Sequence, residues 1–214
     1  CRIVLPFDIT PHSGSRTYED MTFSRPADFV LVIDGKEDSR LLVHSYYDRY
    51  RYHYAEYDKQ IESTEERKRN DGTVFDPIYS FLERELVLPD RDEVIPVQRF
   101  ETGALRYGTS DFTSAAYDSL SDFYYEGDVL EIRIPWLLLN FRDPSRKEIE
   151  DDFWKNDGFS GIPIDGIWVG LAENAGMTKL QYFTWDEWDY YPYFERLRKS
   201  YYILQDQFAE LTVR

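Results

Sequence analysis

Glu131-Ile132-Arg133-Ile134-Pro135-Trp136 is the stretch that decides how the chain is read. Together with Leu130 it alternates strictly, with Leu130, Ile132 and Ile134 on one side and Glu131 and Arg133 on the other. Period two is the signature of a strand with one face on a core and one toward polar neighbours. Pro135 brings no N–H to a ladder and ends it. Upstream, Glu126-Gly127-Asp128 reads as the turn that launches the strand at Val129; downstream, Leu137-Leu138-Leu139 reads as a short apolar turn.

The same reading extends outward. Ile3 to Ile9 is a strand, followed by the turn formers Thr10-Pro11-His12-Ser13-Gly14-Ser15. Asp28 to Asp34 is a compact apolar strand, and Gly35-Lys36-Glu37-Asp38 turns it back into Ser39–Tyr47, pairing Phe29–Ile33 with Leu41–Val43. Arg49 to Tyr57 alternates tyrosine and polar residues, which predicts a strand with Tyr50, Tyr52 and Tyr54 on one face. Those three rings are candidates to line a groove, against the plainer reading of a cross-strand aromatic ladder. Val94–Tyr107, Gly166–Glu173 and Leu180–Trp185 read as further extended segments.

Helical signals interrupt the strands. Residues 58–92 form a polar insertion, its first part a solvated helix or mobile loop. Asp76-Pro77 predicts a capped helix carrying Ile78, Phe81, Leu82 and Leu86, although Glu85–Pro89 reads equally as a strand. Asp143-Pro144 predicts a helix through about Trp154, and a terminal helix spans Phe194–Leu211 with Leu197, Tyr201, Leu204 and Phe208 on one stripe. The expected class is mainly β: a two-sheet antiparallel sandwich, jelly-roll-like, as one domain over 1–214.

Forty-one acidic against 25 basic residues give a formal net charge of −16, which repels nucleic acid and anionic membrane at long range. No apolar run is long enough for a transmembrane helix. Hard carboxylate ligands suit calcium, but the closest stretch to a loop site, Asp151–Gly158, puts Phe153 and Lys155 at ligand positions. With one cysteine, at position 1, no internal disulfide forms. Cys1 suits a lipid-bearing mature terminus or a fragment cut from a longer chain, and the fragment is the preferred expectation.

The strand ending in Ile134-Pro135-Trp136, followed by Leu residues and a helix signal, resembles family 9 carbohydrate-binding modules and the wider DOMON-like sandwiches. Phe7-Asp8 with Pro11, Ala27-Asp28-Phe29, and Asp122-Phe123 before Gly127-Asp128 are similar to stretches of the same modules. The resemblance covers 28–45 and 117–185 in outline; the 58–92 insertion is long for such a module. It implies two facing antiparallel sheets, attachment to other domains of bacterial extracellular or envelope proteins, and sugar or haem bound in some members. Met21, Met177, His12, His44 and His53 are the only side chains that could serve haem as axial ligands.

The aromatic content exceeds what one core needs, so many rings must line a surface or groove. Trp185-Asp186-Glu187-Trp188-Asp189-Tyr190-Tyr191-Pro192-Tyr193-Phe194 is the richest segment, with Trp or Tyr at five of ten positions. Flat rings stack on pyranose faces and carboxylates accept from hydroxyls. Trp185, Asp186, Trp188, Tyr190, Tyr191 and Tyr193 are therefore the expected sugar platform, the alternative being packing of the last strand on the terminal helix. Trp136 and Trp168 are expected in the core. The sequence carries no nucleophile elbow, P-loop, dinucleotide fingerprint or HExxH, and chance pairs among so many acids point to no catalytic dyad. The expected function is a non-catalytic carbohydrate-binding accessory domain. The alternatives are an interaction domain without a ligand of its own, contacting neighbouring domains, and a glycan-active enzyme.

Overall fold

A computed structural model describes residues 2–172, 176–190 and 198–212. In chain order the first strands are β1 (Arg2–Asp8), β2 (Ser15–Tyr18), β3 (Met21–Ala27), β4 (Phe29–Asp34), β5 (Arg40–His44) and β6 (Phe75–Pro77). Then come β7 (Tyr79–Glu83), β8 (Leu86–Leu88), β9 (Glu93–Ile95), β10 (Gln98–Glu101), β11 (Phe123–Glu126) and β12 (Val129–Ile132). The last are β13 (Phe141–Asp143), β14 (Glu148–Glu150), β15 (Gly161–Pro163), β16 (Ile167–Val169), β17 (Gly176–Thr178) and β18 (Gln181–Phe183). Two α-helices, α1 (Arg49–Tyr52) and α2 (Lys199–Thr212), complete the regular elements used below.

The centre is a six-stranded antiparallel sheet in the order β18-β16-β1-β4-β5-β6. In β4 every residue from Phe29 to Ile33 is buried, because the strand is covered on both faces. Phe29, Leu31 and Ile33 join Leu41 and Val43 in one core, closed by Phe123, Phe141, Ile149 and Phe153. Val30 and Val32 join Val4 and Leu42 in a second core, closed by Met21, Phe23 and Ala27 of the β17-β3-β2 sheet. The chain is thus mainly β and sandwich-like, with its central sheet covered on both sides. Each fully buried Phe or Leu contributes about 2 kcal/mol by leaving water.

Buried polar groups pin the corners. Asp28, fully buried, sits between β3 and β4. Its Oδ2 accepts from the N–H groups of Ile9 (2.7 Å) and Thr10 (2.8 Å), and its Oδ1 from Ser13 Oγ (2.9 Å). Its backbone N–H donates to Phe7 and its carbonyl accepts from His44 N, each at 2.7 Å. One residue therefore ties β1, the following turn and β5. Buried Glu150 is flanked by Arg49 (3.3 Å) and Arg142 (3.2 Å). Asp76 takes two hydrogen bonds from Arg67, at 3.0 and 3.1 Å.

Where local signals and the structure differ, a helix cap or strand pairing decides. Arg49–Tyr57 is helical, not a strand: Asp48 Oδ1 caps α1 by accepting from Tyr50 N (3.1 Å) and Arg51 N (3.0 Å), and a π-helical turn follows over His53–Tyr57. Tyrosines spaced by two include an i, i+4 pair, Tyr50 and Tyr54, which a helix also puts on one face. The helix expected after Asp76-Pro77 is instead the pair β7–β10, with Tyr79 opposite Glu101, and the pair β8–β9. After Asp143-Pro144 the cap forms but the helix lasts one 3₁₀ turn. Lys147 takes φ of 53°, and Glu148–Glu150 pairs with β13 and β15. The strand from Val129 ends at Ile132 rather than Trp136, although Leu130, Ile132 and Ile134 do pack on the core while Glu131 and Arg133 are exposed.

Asp48 supplies a pH prediction. Burial lifts its carboxyl to about 6, against the donors from Arg51 and Tyr50 that favour the charged form. A folded-state value above the unfolded one means a stabilising contribution that is full below the unfolded pKa and lost as pH rises to about 6. The contribution amounts to about 3 kcal/mol. Asp48→Asn keeps the capping oxygen but has no such dependence. In urea titrations at the two ends of that window, the wild type should lose about 3 kcal/mol more than the variant. Parallel pH profiles would show that Asp48 stays charged.

Candidate functional site

The β11–β12 hairpin turns through Gly127-Asp128, with Gly127 at φ 57° and Asp128 outside the positive-φ set. This is the pattern of a two-residue II′ turn, which needs glycine first. Its register puts Tyr124 opposite Glu131 and Glu126 opposite Val129, so these four share the outward face. Phe123, Leu130 and Ile132 face the core.

Residues 107–122 pass in front of that outward face. The segment is stitched to β11 by Gly108 N donating to the Phe123 carbonyl (3.0 Å) and Asp122 N donating to that of Arg106 (2.8 Å). Arg106 N in turn donates to Asp122 Oδ2 (2.8 Å). A Cβ at 108 would meet Ser121 Oγ at 2.5 Å, so a larger residue there has to displace that hydroxyl from the Asp118 and Thr109 carbonyls. Asp111 Oδ1 accepts from Thr113 N and Oγ1, and Asp118 N donates to the Thr109 carbonyl. These turns hold the segment off the hairpin.

Between them lies a groove of about 590 Å³, lined by Tyr107, Thr109, Asp111, Ser114, Tyr124, Glu126, Val129 and Glu131, with Gly108 and Ala116. The Tyr107 and Tyr124 rings lie 5.7 Å apart at 29°, both partly exposed, and Tyr125 is 5.0 Å from Tyr107. Tyr124 Oη donates to Glu126 Oε2 at 3.4 Å. The Glu126 carboxylate is the first cause that pushes the Tyr124 phenol up, so the phenol remains a donor. Tyr107 also walls an adjoining groove of about 380 Å³ with Lys36, Glu37, Ala104, Leu105 and Arg106. The Lys36 ammonium sits 4.2 Å from the Tyr107 ring centroid, and Arg106 is paired with Asp118 at 3.0 Å. Rings, carboxylates and hydroxyls together can stack on and hydrogen-bond to a polyhydroxylated ligand.

None of the described residues expected from sequence lines this groove. Trp185 is partly buried, its ring 4.9 Å from Trp136 and 5.8 Å from Phe141, its Nε1 donating to the Pro144 carbonyl at 2.8 Å. Trp188 is partly buried, with its backbone N–H on the Ser145 carbonyl. Asp186 is exposed and Tyr190 is 72% exposed. Tyr191 and Tyr193 lie outside the described residues. Trp136 belongs to the edge of the first core, and Trp168 stacks under Arg25 at 4.4 Å.

Tyr50, Tyr52 and Tyr54 do not line one groove. Tyr52 is buried, 4.8 Å from both Phe153 and Trp154, and Tyr54 lies 3.9 Å from Phe81. In the acidic 151–158 stretch Asp151 is 2.7 Å from His12 Nε2, and Asp152 accepts from Tyr46 Oη at 2.7 Å. Among the described residues no group of three His, Cys, Asp or Glu is arranged to hold a metal ion.

The sequence does not single out the Tyr107–Tyr124 groove: its lining falls within residues 107–131, but residues 107–122 carry no periodic pattern that shows they fold back over the hairpin. Half of it is legible: Glu131 stands on the polar face of the strand that opened the reading, where the register sets it opposite Tyr124. Comparison with family models, with curated proteins and with solved structures finds no match.

Proposed function

We propose that this chain is a non-catalytic carbohydrate-binding domain that holds a saccharide in the Tyr107–Tyr124 groove. The observation that carries the reading is the groove itself, whose volume falls within the ~300–1,000 Å³ of small-molecule sites and whose walls combine two rings with acceptors and hydroxyls. The resemblance to family 9 modules and DOMON-like sandwiches supports it, and would place the domain outside the cell or at a bacterial envelope, beside other domains.

Calorimetry against cell-wall and exopolysaccharide oligosaccharides tests it. Tyr107→Ala or Tyr124→Ala should weaken binding about tenfold, the order expected for one lost stacking contact. Unchanged affinity in both variants overturns the groove. Loss of affinity in Trp185→Ala and Trp188→Ala alone would move the site to the 185–190 surface.

A second reading, an interaction domain without its own sugar, is favoured by the β7–β10 and β8–β9 arm. Leu82, Leu86, Val87, Val94 and Phe100 are exposed there. Under that reading neighbouring domains, joined to this one in a longer chain, protect the arm from proteolysis and no glycan binds.

A further inference from the structure

We infer that the saccharide recognised by the Tyr107–Tyr124 groove carries a free, protonated amine, as a glucosamine-type sugar does. This rests on the reading that the groove binds a sugar, and it adds the chemical class.

The groove is lined by three carboxylates, Asp111, Glu126 and Glu131, and by no lysine or arginine. Asp111 spends one oxygen on Thr113, and Glu126 one on Tyr124. Glu131 has neither an ion pair nor a side-chain hydrogen bond to a described residue, so its charge is left for a ligand. Neutral sugars need acceptors, which amides and hydroxyls supply without a charge; three carboxylates in no ion pair among the described residues suit a cation better, Arg133 lying with Glu131 on the adjoining hollow rather than in this groove. The rings point the same way, since an ammonium is drawn to the face of a tyrosine. Lys36 Nζ already covers a face of Tyr107, 4.2 Å from its centroid and 5.9 Å from that of Tyr125, so a ligand ammonium is left to the carboxylates and to Tyr124. A net charge of −16 adds a long-range field that concentrates cations and turns away uronates.

The probes are three short oligosaccharides: a glucosamine oligomer, its N-acetylated counterpart, and an oligogalacturonate. They are titrated into the full chain by calorimetry at about pH 6, where an amine of ordinary pKa is protonated. The glucosamine oligomer should bind about tenfold more tightly than the N-acetylated one, the size expected of two partly screened charge contacts. That preference should vanish in Glu126→Gln/Glu131→Gln and shrink in roughly 0.5 M salt. The oligogalacturonate should not bind. Equal affinity for the amine and the N-acetyl forms, both abolished by Tyr124→Ala, overturns the amine and leaves sugar binding standing. Tightest binding of the oligogalacturonate also overturns the amine. No binding of any saccharide, while an oligolysine binds and is lost in Glu126→Gln/Glu131→Gln, overturns both readings in favour of a basic peptide site.

Discussion

Replacing Asp28 with alanine lowers the unfolding free energy by about 4 kcal/mol, since three buried donors lose their acceptor at ~1–2 kcal/mol each. The donors are Ile9 N, Thr10 N and Ser13 Oγ, all within 2.9 Å of a carboxyl with no solvent exposure. Asp28→Asn behaves differently. Its amide oxygen can take over the two backbone N–H groups, and its NH₂ can donate to the Ser13 hydroxyl, so the change should cost no more than about 1 kcal/mol.

The pair also reports on charge. Burial is the largest influence on Asp28 and pushes its carboxyl well above the ordinary range, against the three donors. A raised folded-state value contributes stability below the unfolded pKa and loses it as pH rises through the folded one. The asparagine variant lacks that loss, so it gains on the wild type as pH rises. Urea denaturation of the three proteins across pH checks both statements. Equal destabilisation by alanine and asparagine would mean that charge, rather than acceptor geometry, holds the corner.

The second large effect belongs to Phe123. Its ring is 2% exposed, packs edge-on to Tyr107 at 5.4 Å, and lies in the core beneath the hairpin that carries Tyr124 and Glu131. Phe123→Ala removes its burial and leaves a cavity, for about 3–5 kcal/mol. In a chain of this size that is a drop of roughly 10 °C in Tm. Because Tyr107 leans on the same ring, saccharide affinity should fall with it, while Phe123→Leu restores most of both. Thermal unfolding followed by near-ultraviolet circular dichroism reads the stability, and calorimetry the binding. A loss under about 1 kcal/mol would mean that the hairpin is not anchored through this residue.

Several elements were legible because their signals are local. The apolar strand Phe29–Asp34, its polar turn and the returning Arg40–His44 pair as read, with Leu31 opposite Leu41. The glycine turn before Val129 and the alternation after it also stand in the structure. The failures lie where a local cue is compatible with two outcomes. Tyrosines at 50, 52 and 54 suit a strand or a helix, and the cap from Asp48 selects the helix. Asp-Pro at 76–77 and at 143–144 signals a helix start, yet both segments pair as strands instead, the first with β5 some thirty residues upstream and the second in the local β13–β14–β15 hairpins.

By itself the sequence determined the chemical character of this protein. It is β-rich, strongly acidic and overfull of rings, with an apolar strand at its heart and a strand from Val129 that shows Glu131 to the outside. Those properties follow from composition and from periods of two, which a short window contains. Only the tertiary structure decided which rings meet which acids. It drew Trp185 against Trp136, sank Tyr52 beside Phe153, and laid the 107–122 segment across β11 and β12, so that Tyr107 and Asp111 face Tyr124 and Glu131. The reason is physical: a groove is made by chain segments that pair through backbone hydrogen bonds and shared core contacts, and neither leaves a mark in the residues between them.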